Sequence, residues 1–146
     1  MIKSFEVDHT KLKAPCIRLA DIYERNGVIV RKYDIRFVTP NTTTLDDKIM
    51  HSMEHLLATA FKSIFKESMI DLSPMGCKTG FYFTCFKTDK TLQKIQNAIV
   101  LASDVKIPTP RKANCGSYKL HNITGARKYL KEKATEMWTI INETGN

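Results

Sequence analysis

The stretch from about Asp46 to Lys66 limits the fold of this chain more than any other. Ile49, Met50, Met53, Leu56, Leu57, Ala60, Phe61 and Ile64 recur there at the spacing of an amphipathic helix. Thr44 or Asp46 is placed to cap its start. Within it lies His51-Ser52-Met53-Glu54-His55. Residues i and i+4 share a helix face, so His51 and His55 can bind one metal ion. At ~100° per residue, the two histidines point nearly opposite the apolar stripe centred on Met53 and Leu57. One face then anchors the helix in the core while the other lines a site. Glu54 stands beside the histidines, where it can serve as a base next to a metal rather than as a ligand. A pair of surface histidines is the plainer reading of the same spacing.

The flanking segments supply the other elements. In Tyr33-Asp34-Ile35-Arg36-Phe37 apolar and charged residues alternate, the period of a half-buried strand. Asn26-Gly27 reads as a hairpin turn between two such stretches, and Pro40-Asn41 ends the strand section. Ser73-Pro74-Met75-Gly76 reads as a loop, and Phe81 to Phe86 as a buried aromatic strand. A second helix is expected from about Lys90 to Ser103, and Ile107-Pro108-Thr109-Pro110 must be extended. A last helix is expected over about Thr124 to Asn142, with Leu130, Ala134, Met137, Trp138 and Ile141 as its core stripe. Hairpin strands with helices packed on them imply an α+β class, an antiparallel sheet against helices. With 146 residues, no repeats and no linker, the whole of 1–146 reads as one domain.

Composition excludes some functions. The hydrophobic share of 42% and charged share of 26% are those of an ordinary globular chain. No apolar run is long enough to span a bilayer. Met1 to Glu6 contains no apolar core of a secretion signal, so a cytoplasmic location is expected. The net charge of +8 could suggest nucleic acid, but the lysines are scattered and no nucleic-acid motif is present. A solvated, lysine-rich surface is the preferred reading, without a nucleic-acid or membrane partner.

The four cysteines are Cys16, Cys77, Cys85 and Cys115. In a reducing compartment an even count does not imply disulfides, and metal binding or catalysis is the better reason for an exposed thiol. Cys16 and Cys85 lie in strand-like runs and read as core. Cys115 follows the proline-rich segment and precedes Gly116, which lets the backbone approach closely. It is the best third ligand for His51 and His55, the alternative being a small buried hydrophobe. A His2Cys set suits Zn²⁺, Fe²⁺ or Co²⁺. Cys77 lies between Gly76 and Gly80, which leave room for a substrate, and Lys78 or Arg36 would favour its thiolate. Taken alone, a loop cysteine is more often structural.

These segments together resemble the S-ribosylhomocysteine lyases, the LuxS family. The likeness is carried by Ser4 to Thr10, Ala14-Pro15, Asp34 to Phe37, His51 to His55, Asp71 to Tyr82 and Cys115-Gly116, in that order. The resemblance implies that His51, His55 and Cys115 hold a divalent metal, typically Fe²⁺, and that Glu54 and Cys77 form the acid/base pair. It implies that Ser4, His9 and Arg36 line the substrate pocket. The implied reaction cleaves S-ribosylhomocysteine to L-homocysteine and 4,5-dihydroxy-2,3-pentanedione, the autoinducer-2 precursor, by carbonyl migration and β-elimination. The implied assembly is a homodimer with two active sites built from both chains. A histidine face pointing away from its own core agrees with that.

Two rival readings use the same helix. HxxEH is also a zinc metalloprotease signature, with a downstream carboxylate as third ligand. Glu132 is available, 132 − 55 = 77 residues past His55. Such proteases are much larger, and Cys77 and Cys115 would have no role in one. A non-catalytic zinc module would need a closed four-ligand site. His121, 121 − 115 = 6 residues after Cys115, is the spare candidate.

Overall fold

The computed structural model describes residues 7–110 and 117–141. Strand β1 (Cys16–Arg25) turns back into β2 (Val28–Arg36) through Asn26 and Gly27. Their φ angles of 53° and 82° are the pair of positive values that a tight two-residue hairpin requires. Helix α1 (Asp47–Phe65) follows, then a short 3₁₀ turn, β3 (Met69–Pro74), β4 (Gly80–Phe86) and α2 (Thr91–Ala102). A second 3₁₀ turn (Tyr118–Leu120), α3 (Ile123–Ala134) and β5 (Thr139–Ile141) complete the order.

The sheet runs β3-β4-β2-β1-β5. Its first four strands are antiparallel neighbours, while β5 joins β1 in parallel. The α+β class holds, but the sheet is mixed rather than antiparallel throughout. Register brings Leu19 opposite Tyr33 and Tyr33 opposite Phe83, and likewise Ile17 opposite Ile35 and Ile35 opposite Phe81. All six are buried, so they form one apolar face. The helices cover it. Phe61 and Phe65 of α1 meet Phe83 at ring-centroid distances of 4.7 and 4.6 Å. Their burial and that of Leu56, Leu57 and Met53 follows from the helical stripe.

Asp46 is the cap of α1: its Oδ2 accepts from the backbone N–H of Lys48 and of Ile49, each at 3.2 Å. Cys16 and Cys85 are core residues, as expected. The last helix departs from expectation. It stops at Ala134, and the chain turns to place Thr139 N–H on the Pro15 carbonyl and begin β5. Met137, expected in the core, is 91% exposed. Trp138 is half-buried, edge-on to Phe37 at 5.0 Å, and does not continue a helical stripe. Strand β3 takes in Ser73 and Pro74, which read as loop in the sequence.

The other face of the sheet carries charge. Arg18, Asp34 and Arg36 alternate with the apolar residues, so they point away from the helices, yet each is buried. Arg18 Nη2 lies 2.7 Å from Asp34 Oδ2, and Arg36 Nη2 3.8 Å from the same oxygen. A buried carboxylate shared by two guanidiniums is a costly arrangement to desolvate, and such arrangements cluster near functional sites.

Candidate active site

Helix α1 presents His51 and His55 on its half-buried face, one turn apart. His121 joins them from the turn before α3. The potential donor atoms of the three all lie within 4.8 Å of one another. The His51 and His121 rings stack at 3.7 Å, and His55 stands nearly perpendicular to both. His51 Nδ1 is 3.1 Å from the Leu120 carbonyl. A carbonyl only accepts, so Nδ1 carries the hydrogen and Nε2 keeps the lone pair that a metal needs. Ser52, wholly buried, accepts the Asn122 N–H at 2.9 Å and lies 3.0 Å from His121 Nδ1. These bonds tie the 118–122 segment to the helix turn that carries the histidines.

Three converging imidazoles suit Zn²⁺, Fe²⁺ or Co²⁺ and not the oxygen-seeking Mg²⁺ or Ca²⁺. Partial burial pushes the His55 pKa down, with His121 and His51 adding to it, which favours the neutral form that can ligate. Partial burial raises the Glu54 carboxyl, with His51 and His121 opposing and Asp71 reinforcing. Glu54 is therefore better able to carry a proton than an exposed glutamate. Cys115, the expected third ligand, and Ser4 lie outside the described residues. The sequence offers His121 only as a spare fourth ligand of a zinc module, its one signal being a position six residues past Cys115. Glu132, the carboxylate of the protease reading, is exposed on α3. Among the described residues the donor group contains three histidines and no carboxylate.

A second cluster forms at the β3–β4 hairpin. Lys78 takes a positive φ of 59°, and its N–H bonds the Met75 carbonyl, which closes the turn and projects Cys77. Cys77 Sγ lies 3.0 Å from Thr79 Oγ1 and 3.9 Å from Arg36 Nη1. Arg36 Nη1 donates to Thr79 Oγ1 at 3.0 Å. Its Nη2 is 3.5 Å from His9 Nε2, and His9 Nδ1–H donates to the Val7 carbonyl at 2.8 Å. That carbonyl fixes the tautomer, so His9 turns an accepting Nε2 toward Arg36. Partial burial opposes ionisation of Cys77. The hydrogen bonds from Thr79 and the charge of Arg36 outweigh it, and the thiol pKa falls below the ordinary cysteine value. Lys78, the other expected cation, instead pairs with Asp47 at 2.7 Å.

A cavity of about 360 Å³ is lined by His9, Arg36, Pro40, Asn41, Thr42, Thr43, Thr44, Cys77 and Thr79. His9, Arg36 and Cys77, which the sequence reading assigns to one site, line this one cavity. Thr79 was missed, though it lies two residues past Cys77. A slightly larger cavity of about 390 Å³ adjoins it through Thr42 to Thr44 but holds neither cluster. The chemistry points to the smaller one. His51, Glu54, His55 and His121 do not line it.

A small α+β domain with an imidazole cluster beside a carboxyl of raised pKa, and a thiol of lowered pKa in a cavity with Arg36 and His9, has the parts of an acid–base enzyme. The family described as S-ribosylhomocysteinase (LuxS) matches residues 2–144. The S-ribosylhomocysteine lyase of Clostridium perfringens is 45% identical over 138 residues, covering 90% of this chain and 89% of that protein. Those of Enterococcus faecalis and Thermus thermophilus are each 38% identical, covering 89% and 90% of this chain and 88% and 87% of their own. The chain belongs to the LuxS family, and with it to the carbon–sulfur lyases.

Proposed function

We propose that this chain cleaves S-ribosylhomocysteine to L-homocysteine and 4,5-dihydroxy-2,3-pentanedione. The observation that carries this is the cavity in which Cys77, Arg36 and His9 converge, at the positions where the family likeness expects substrate and proton transfer.

The substrate is an aldose whose thioether is not yet activated for departure. Its carbonyl must migrate from C1 to C3, after which loss of the C4 proton lets the C5–S bond break. His51, His55 and Cys115 would hold a divalent ion, Fe²⁺ by family likeness, with His121 a further imidazole in the same group. When bound, that ion supplies Lewis-acid polarisation of the carbonyl oxygen. The remaining steps are proton transfers. Cys77, held toward its thiolate, takes a proton from one sugar carbon and returns it to the neighbouring carbon or oxygen. Glu54, its carboxyl pKa raised by partial burial, exchanges a proton on the opposite side of the sugar. His9 Nε2 and Arg36 orient the sugar hydroxyls, and Ser4 joins them by likeness. The departing thiolate takes a proton and leaves as homocysteine. The balance needs no external oxidant, because each carbonyl shift oxidises one carbon and reduces its neighbour.

The active unit is a homodimer with shared sites, located in the cytoplasm. Two observations support sharing: the histidine face lies opposite the core stripe of its own helix, and the Cys77 cavity has no wall from that face. Among the described residues, no helix is long and apolar enough to cross a membrane.

The test is to incubate the purified, metal-loaded protein with S-ribosylhomocysteine and titrate free thiol. Stoichiometric thiol release is expected, and intact substrate after prolonged incubation would reject the reading.

A further inference from the structure

Thr79 is 3% exposed, and its hydroxyl lies between Arg36 and Cys77. Arg36 Nη1 reaches Oγ1 at 3.0 Å, and a guanidinium can only donate. The hydroxyl therefore accepts from Arg36, and its own hydrogen is left to point elsewhere. Two sulfurs are in range: Cys77 Sγ at 3.0 Å and Met75 Sδ at 3.8 Å. A thioether is a weak acceptor, whereas a thiolate carries full charge. Arg36 itself approaches Cys77 Sγ no closer than 3.9 Å, so the hydroxyl makes the shorter contact. The backbone holds the hydroxyl in place. The Thr79 carbonyl accepts from both Phe37 N–H and Val38 N–H, at 2.9 and 3.1 Å, which fastens the residue to the end of β2.

We propose that Thr79 is a positioning residue that holds Cys77 as a thiolate by donating its hydroxyl hydrogen to Sγ, with Arg36 polarising that hydroxyl from behind. The chain Arg36 → Thr79 → Cys77 carries positive charge to the sulfur without a direct ion pair. Charged acceptors strengthen such chains. The Thr79 side chain is also the largest of the influences that lower the Cys77 pKa. The catalytic use of that thiolate rests on the reading of Cys77 as an acid/base group; the Thr79–thiolate contact does not.

The test is the pH dependence of Cys77 alkylation by iodoacetamide, read by mass spectrometry on the Cys77 peptide of the intact protein. Wild type should show a midpoint below that of an ordinary cysteine. Thr79→Val, which keeps shape and removes the hydroxyl, should raise the midpoint by about one unit, a tenfold loss of thiolate below it. Thr79→Ser should keep the wild-type midpoint. Should Thr79→Val fail to fold by circular dichroism, Thr79→Ala must show the same rise. A folded Thr79→Val or Thr79→Ala with the wild-type midpoint overturns the proposal. So does a Thr79→Ser midpoint displaced as far as that of Thr79→Val, since the methyl packing would then be responsible. If the midpoint rises as expected while Cys77→Ala still releases homocysteine at the wild-type rate, the acid/base reading falls and the thiolate contact stands.

Discussion

His51 and His121 stack with ring centroids 3.7 Å apart and planes 26° apart, although one comes from α1 and the other from the turn before α3. The backbone locks the pair, because the carbonyl that orients His51 belongs to Leu120, the residue before His121. Moving one ring disturbs the other. His51→Ala should therefore abolish tight metal binding, since it removes a proposed ligand and the anchor of the 118–122 segment together. Chelator competition with Co²⁺ or Zn²⁺ would measure this. An affinity within about tenfold of wild type would argue that the ion sits elsewhere, because losing even an outer hydrogen-bond partner commonly costs ten- to a hundredfold.

Activity should depend on pH through Cys77. Its pKa is lowered, so the thiolate persists below the ordinary cysteine range. As pH falls through that lowered pKa the sulfur takes a proton and the proposed base is lost, so turnover should decline on the acid side. Cys77→Ser should lower turnover by on the order of a hundred- to ten-thousandfold, because a serine hydroxyl does not ionise in that range. A rate–pH profile whose acid limb lies at the midpoint of Cys77 alkylation is the expected result. An acid limb unrelated to that midpoint would assign the titration to another group.

Gly80 begins β4, three residues past the thiol, directly opposite Arg36 in the ladder. A Cβ there would collide with the Ile35 carbonyl oxygen and lie 2.8 Å from Arg36 Cα. Both obstacles are backbone, so neither can rotate away. Gly80→Ala should cost about 3 kcal/mol or more. A chain of this size should then melt roughly 10 °C lower. A melting temperature within a degree or two of wild type would show that the two strands can part there without penalty.

Helix α1 was legible because its stripe, its Asp46 cap and its histidine face all rest on local spacing. The β1–β2 turn was legible because Asn-Gly suits two positive φ angles. What failed was non-local. Strand β5 pairs with β1 from the far end of the chain, and Trp138 docks on Phe37 through a turn that periodicity cannot show. A helical reading of 124–142 therefore ran through a real stop at Ala134. Strand β3 buries only Leu72, so it leaves little alternation to detect. In the site, His51, His55, Cys77 and Arg36 stood out by residue type. Thr79 and His121 did not, since their roles come from contacts with segments far away in sequence. The roles proposed for Cys115 and Ser4, which lie outside the described residues, rest on the family likeness.

Subunit mixing tests the shared site without a structure of the assembly. Suppose each active site takes its histidines from one chain and Cys77 from the other. A dimer of one His51→Ala chain and one Cys77→Ala chain then has one site with both lesions and one with neither. Random pairing at equal expression makes half the dimers mixed, each with one intact site of two, so about a quarter of wild-type activity should return. Each variant alone should be inactive. The expectation differs sharply for a site contained in one chain, where every site in every dimer carries a lesion and mixing restores nothing. Thiol release from S-ribosylhomocysteine measures both cases, on separately purified variants and on a preparation co-expressed with two affinity tags. Activity at the background of the separate variants, from a preparation shown by the two tags to contain mixed dimers, would place all the catalytic groups in one chain.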